Sequence, residues 1–218
     1  MDFINQLKKH ADEFAWPFNE PFTLKNGHLL YLGNRIEGLS GPENQGKYII
    51  SEVKKNKKRF GYGGYSEDRA LYLNTELFNS DDKRTIHLGI DIWCPPGTSV
   101  YLPYHARIHS FQDNNRNGDY GPTIITRQTI QNESFFFLFG HLSRKSMINL
   151  SAGKKFLKGE KLAELGDYNE NGNWSPHLHF QIIKDIGNYS GDYPGVASKV
   201  DMDFYRTNCP DPKLIFNY

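Results

Sequence analysis

Apolar residues recur with two different periods along this chain. Near the start Phe3, Ile4, Leu7, Ala11, Phe14 and Ala15 fall at helical spacing, with Asp2, Lys8, Lys9, Asp12 and Glu13 between them. This predicts an amphipathic helix over 3–15 that ends before Pro17. Its polar face carries both signs of charge, so the apolar face is expected to pack on the rest of the protein and not on a membrane. Further on the period shortens to two. Residues 28–32 read as a short strand followed by a Gly/Pro-containing link at 38–42. Val100, Leu102 and Tyr104 alternate, and 123–127 and 134–139 are β-branched or aromatic runs, with turn residues at 113–115 and 117–118. Short strands joined by tight turns predict a mainly β protein, an antiparallel sheet or sandwich, with a short N-terminal helical extension.

Composition agrees with that class. Twenty glycines, eleven prolines and 14% aromatic residues favour a loop-rich β fold over a helical bundle. A formal net charge of +1 gives no electrostatic case for nucleic acid, and no apolar run is long enough for a transmembrane helix. The start of the chain lacks the apolar stretch of a secretory signal, and with only Cys94 and Cys209 no disulfide framework is indicated. Both point to the cytoplasm. Cys94 is expected to be a buried structural thiol. The basic run from Lys54 to Arg59 reads as a solvated face, with an acidic substrate or partner as the other reading, and His105 and His109 as ordinary, partly exposed strand residues.

The chemistry concentrates in a few positions. His177 and His179 stand two apart in a β-favouring stretch entered through Pro176, so on a strand they share one face while Leu178 and Phe180 take the other. By itself an H-x-H also fits an ordinary wet sheet face. Upstream, His87 and Asp91 are four apart and would share a face in extended chain, with Gly89 leaving that face open for an ion. Two neutral imidazoles and a carboxylate, with a fourth position left for water, form a donor set for catalytic zinc. His141 follows the aromatic run 136–139, at a strand end where a sheet can aim a side chain into a cleft; taken alone it also fits a satisfied core histidine.

Together these residues carry a resemblance. His87-x-x-x-Asp91, then Gly140-His141-Leu142, then His177-Leu178-His179 in order resemble the lysostaphin-type or LytM-type zinc metalloendopeptidases, and the likeness extends through 94–98, 157–161 and 176–180. It covers roughly residues 60 to 185. This divides the chain into an N-terminal segment at 1–59, the zinc metallopeptidase-like domain at 60–185 and a wrapping tail at 186–218. The resemblance implies a barrel-sandwich-hybrid-like β fold and one zinc ion per chain held by His87, Asp91 and His179. It implies His141 and His177 as catalytic residues that do not bind the metal, and a peptide or related amide as substrate.

The segment before the first ligand often borders the cleft in this family, which makes Tyr62, Tyr65 and Arg69 candidates for it. A structured turn held by an Arg–carboxylate pair is the other reading of that segment. The loop 166–174 is longer, more polar and more aromatic than the family's usual turn, so Tyr168 and Trp174 are further candidates for the cleft. In the tail Tyr189 and Tyr193 are expected to pack, with an approach to the cleft as the other reading. Two other functions fit the same fold: a catalytically silent binding or regulatory module, and a cytoplasmic amide hydrolase acting on a substrate other than peptidoglycan. All five matched positions are intact, which favours an enzyme. Oligomeric state and the role of the N-terminal helix are not written in the sequence.

Overall fold

A computed structural model describes residues 2–33, 42–69, 72 and 83–218. The Gly/Pro link at 38–42 lies outside these residues except for the backbone of Pro42. The described chain opens with helix α1, Phe3–Lys9, capped by Asp2, whose carboxylate accepts from the Asn5 amide at 2.9 Å. The helix predicted over 3–15 therefore stops six residues early. A short 3-10 turn, Ala11–Glu13, follows, after which the Ala15 amide donates to the Pro103 carbonyl. Phe14 leaves helical geometry to reach the core, where it meets Phe135 and Phe137. As expected, the apolar face of α1 packs on the sheet, with Phe3 and Phe135 rings 5.5 Å apart.

Strand β1, Gly27–Leu29, is shorter than the predicted strand at 28–32, although Leu30 still donates to the Tyr62 carbonyl. Helix α2, Pro42–Lys55, was missed by the strand-centred reading. Its signals are Pro at the first helical position, Glu43 in the first turn, and Gln45, Ile49 and Val53 at helical spacing. The basic residues 54–59 are exposed, as expected of a solvated face. Next come β2, Phe60–Gly63; β3, Arg84–His87; β4, Ile90–Trp93; and β5, Ser99–Tyr101. Then follow β6, Ala106–Asn114; β7, Gly121–Ile130; β8, Glu133–Gly140; β9, Lys155–Phe156; β10, Lys161–Glu164; and β11, Leu178–Ile183. The tail, read as a loop, in fact contains β12, Val196–Ser198, and the helices α3, Met202–Asn208, and α4, Lys213–Phe216.

Eight of these strands form one sheet in the order β1-β2-β4-β11-β8-β7-β6-β9, antiparallel except for the β1–β2 pair. Two-stranded ladders, β10 with β5 and β12 with β3, complete the described β structure. The mainly β expectation thus holds. Between β7 and β8, Gln131 and Asn132 both have positive φ, the requirement of a two-residue hairpin turn that keeps the strand twist.

Alternation along the strands gives the sheet two different faces. Phe135, Phe137 and Phe139 of β8 point into the main core beside Phe180 of β11, with Phe137 and Phe180 rings 4.9 Å apart. Burying each of these rings contributes about 1.5–3 kcal/mol. Leu138 and Ile183 take the opposite face, where Tyr193, Met202 and Cys209 of the tail cover them. On β4, Ile90 and Ile92 join the main core. Asp91 therefore projects on the tail-covered side, and so do His179 and Gln181 of β11.

Candidate metal centre

Strand register brings the ligand candidates together. His179 of β11 pairs with Asp91 of β4 on one side and with Gly140, the residue before His141, on the other. His87 arrives from a different ladder. The continuous strand expected from His87 to Asp91 is broken at Leu88 and Gly89, where β3 ends and β4 begins. Gly89 is required for a reason other than leaving a face open. A side-chain carbon there would lie 2.6 Å from the Phe180 carbonyl and 2.7 Å from the His179 ring. The bend turns His87 back over Asp91.

Three donor atoms converge as a result. His87 Nε2 lies 2.9 Å from His179 Nδ1 and 3.2 Å from Asp91 Oδ1, and His179 Nδ1 lies 3.4 Å from Asp91 Oδ1. Tetrahedral zinc with bonds of about 2.0–2.1 Å needs neighbouring donors about 3.3 Å apart. Among the described residues this is the one group of three or more His, Cys, Asp or Glu side chains that converges in this way.

Hydrogen bonding on the outer side of each ligand decides the charge at the centre. His87 Nδ1 faces the Gly64 carbonyl at 3.0 Å, and His179 Nε2 faces the Gln181 amide oxygen at 3.0 Å. Both partners can only accept, so both of these ring nitrogens carry the proton. The two nitrogens that face each other at 2.9 Å are then bare lone pairs. Asp91 Oδ1, also buried, has no hydrogen-bond partner, while Oδ2 accepts from Arg69 at 2.6 Å. Two lone pairs and an orphaned carboxylate oxygen repel one another unless a cation lies between them. The donors fit a zinc ion, and their outer partners match the arrangement that orients metal-binding imidazoles.

Electrostatics keeps the candidate ligands in forms that can bind a metal. Burial lowers the His87 pKa to about 4, with Asp91 opposing, and burial lowers His141 and His177 as well. Burial would raise Asp91, but His87 and Arg69 hold it well below the usual carboxylate range. His87 has a folded-state pKa below the 6.5 of a free imidazole. In the metal-free protein its stabilising contribution is therefore complete above about pH 6.5 and is lost as pH falls toward about 4. Urea unfolding of the metal-free protein is expected to show a lower midpoint at about pH 5 than at about pH 7.5. Equal midpoints would contradict buried neutral imidazoles.

His141 and His177 flank this centre outside the converging donor set. His141 follows β8 with φ +62°, a backbone region sparsely populated by non-glycine residues, and is held there by its amide on the Tyr120 carbonyl and its carbonyl on the Gly166 amide. Its Nδ1–H donates to the Asn171 carbonyl at 2.8 Å. His177 donates through Nδ1 to the Ser175 carbonyl at 2.7 Å and lies between Trp93 and His141, with the two imidazole rings 4.1 Å apart. Each keeps Nε2 bare. His177 Nε2 is 3.6 Å from Asp91 Oδ1.

A cavity of about 340 Å³ opens beside these five side chains. Trp174, Tyr72 and tail residues between Tyr189 and Val196 are part of its lining. The cleft candidates separate. Trp174 lines the cavity and is also packed against Tyr72 and Val196. Tyr168 is absent from the cavity lining and points to solvent. Tyr65 is likewise absent from the cavity lining, and its hydroxyl donates to the Cys209 carbonyl at 2.8 Å. Arg69 borders the cavity: its Nε and Nη1 donate to Glu67, Asp91 and Tyr72, in keeping with the Arg–carboxylate turn reading, while its buried Nη2 has no hydrogen-bond partner. Tyr62 packs on Trp16 and Phe60. Tyr189 and Tyr193, for which packing is the preferred of two readings, line the cavity. Cys94 is buried in the main core, and burial pushes its thiol up, as expected of a structural cysteine. His105 is exposed and His109 half-buried, away from the centre.

Residues 85–191 match the family described as Peptidase family M23. No curated protein matches. Among solved structures, the catalytic domain of the antimicrobial peptidase lysostaphin from Staphylococcus simulans is 20% identical, with 66% of this chain and 88% of that one covered at a TM-score of 0.41. A zinc-containing peptidase from Vibrio cholerae is 23% identical, with 45% and 27% covered at 0.37. A peptidase M23 protein from Pseudomonas aeruginosa is 20% identical, with 79% and 61% covered at 0.40. The chain thus spans about a quarter of the length of the Vibrio protein.

Proposed function

Because residues 85–191 match peptidase family M23, we propose that this protein is a zinc-dependent endopeptidase whose ion is held by His87, Asp91 and His179. One observation carries the reading: two bare imidazole nitrogens and an unpartnered carboxylate oxygen meet at 2.9–3.4 Å in a buried site bordering a cavity. What a bound zinc supplies is Lewis acidity toward a peptide carbonyl and a water whose pKa falls to about 7. The remaining work falls to the chain. Arg69 occupies Asp91 Oδ2 and leaves Oδ1 alone for the ion. Because the Nδ1–H of His141 and His177 is fixed on a carbonyl, Nε2 is the one atom of each ring that can take up a proton. A neutral imidazole there accepts a proton from water; once protonated, it donates to developing oxyanion charge or to the leaving amine. Two such rings allow the tasks to be divided.

Trp174, Tyr72 and the tail segment 189–196 would hold the peptide. A silent module would keep the fold while losing a ligand or a catalytic histidine, and all five are present. The test is a panel of short peptides, glycine-rich ones included, followed by mass spectrometry with zinc-loaded and chelator-treated protein. New amino termini are expected only with zinc. Absence of cleavage across the panel by protein that holds zinc would favour the silent module.

A further inference from the structure

The proton position on His179 is set from outside the metal centre, through contacts that run into the tail. His179 can bind an ion through Nδ1 only if Nε2 carries the proton, and Nε2 faces Gln181 Oε1 at 3.0 Å. A glutamine could present its NH₂ there instead, which would force the proton onto Nδ1 and close the donor. Two further contacts settle the orientation. Gln181 Nε2 lies 3.1 Å from the Pro194 carbonyl, which can only accept, and 3.2 Å from Cys209 Sγ. Gln181 and Cys209 are completely buried, so the glutamine amide itself is out of reach of water, while Pro194 is half-buried at the cavity edge. Cys209 is fixed in turn, because its carbonyl accepts from Tyr65 at 2.8 Å and its amide donates to the Tyr205 carbonyl.

We propose that Gln181 is a positioning residue that transmits the fixed polarity of the Pro194 carbonyl to His179, so that Nδ1 is prepared as a donor before any metal arrives. Pro194 and Cys209 both lie beyond the stretch that matches the peptidase family. The tail is therefore part of the metal centre in addition to being a cover. This deepens the zinc reading above and rests on it for the role of Nδ1.

The proton can be located directly. Histidine-selective ¹⁵N labelling and two-bond ¹H–¹⁵N correlation of the metal-free protein distinguish the two tautomers, with the His179 signal assigned by its loss in His179→Gln. Wild type is expected to carry the proton on Nε2. Gln181→Leu removes the acceptor and should populate both tautomers, with zinc affinity lowered about 10–100-fold. Gln181→Glu keeps an acceptor toward Nε2–H and should retain the wild-type tautomer; it carries the test should the leucine variant not fold. A proton on Nδ1 in wild type, loss of the Nε2–H form in Gln181→Glu, or a folded Gln181→Leu with unchanged tautomer and affinity would overturn the proposal. Because the tautomer is read without metal, failure of the zinc reading, seen as no zinc binding by wild type, is told apart from failure of this one.

Discussion

His141→Ala and His177→Ala are each expected to retain about one zinc per chain while losing roughly a hundredfold or more in peptide hydrolysis. Neither ring belongs to the converging donor set, which His87, Asp91 and His179 complete without them. Each is held by one hydrogen bond through Nδ1 and presents a bare Nε2 beside the cavity. Loss of that nitrogen removes a proton acceptor or an oxyanion donor, contributions of about a hundredfold or more in rate. The alanine variants also leave the Asn171 or Ser175 carbonyl without its donor, a penalty of about 1–3 kcal/mol where that carbonyl is buried. Rates should therefore be read at a temperature where calorimetry shows the variants folded. Loss of zinc in either variant would make that histidine a ligand and overturn the division of roles.

Arg69→Met is expected to lower the stability of the metal-free protein by about 3–5 kcal/mol and to weaken zinc binding about 10–100-fold. The guanidinium is buried and serves two buried carboxylates, Glu67 at 2.8 Å and Asp91 at 2.6 Å. Glu67 also accepts from the Leu32 amide, so the network ties the segment before β2 to the metal centre. Removing the cation leaves two negative charges out of water, and this penalty exceeds the worth of any surface ion pair. Asp91 would also be free to rotate its second oxygen toward the ion. Urea unfolding and competition with a zinc chelator measure the two effects. A stability change under about 1 kcal/mol would mean that water reaches these carboxylates.

Much of the centre was legible because its signals are local. The aromatic run of β8 with His141 at its end, the His177–His179 alternation on β11 and the spacing of His87 and Asp91 all show in short windows. The partners that orient them do not. The Gly64, Asn171 and Ser175 carbonyls that fix three tautomers belong to backbone, and every residue has a carbonyl; only the fold brings Gly64 to His87 and Asn171 to His141. Arg69 sits 22 residues before Asp91 and reached its place through the Arg69–Thr85 and His87–Glu67 backbone bonds, a pairing with no sequence signature. The helix over 3–15 failed for a related reason. Phe14 and Ala15 keep helical spacing, yet the Phe14 contact with Phe135 and the Ala15 bond to Pro103 outweigh one more helical turn. Tyr189 and Tyr193 could be read either as packing or as approaching the cleft, since a Gly/Tyr-rich tail reads as loop until α3 and β12 place it against the sheet.

Elemental analysis of the purified chain beside Asp91→Ala, both dialysed against chelating resin, addresses the metal centre most directly. Asp91 supplies the orphaned oxygen without which two facing lone pairs have no anionic partner for the ion. The expected result is about one zinc per chain in wild type and roughly a tenth of that or less in the variant. Equal zinc in the two proteins would contradict a centre built on His87, Asp91 and His179.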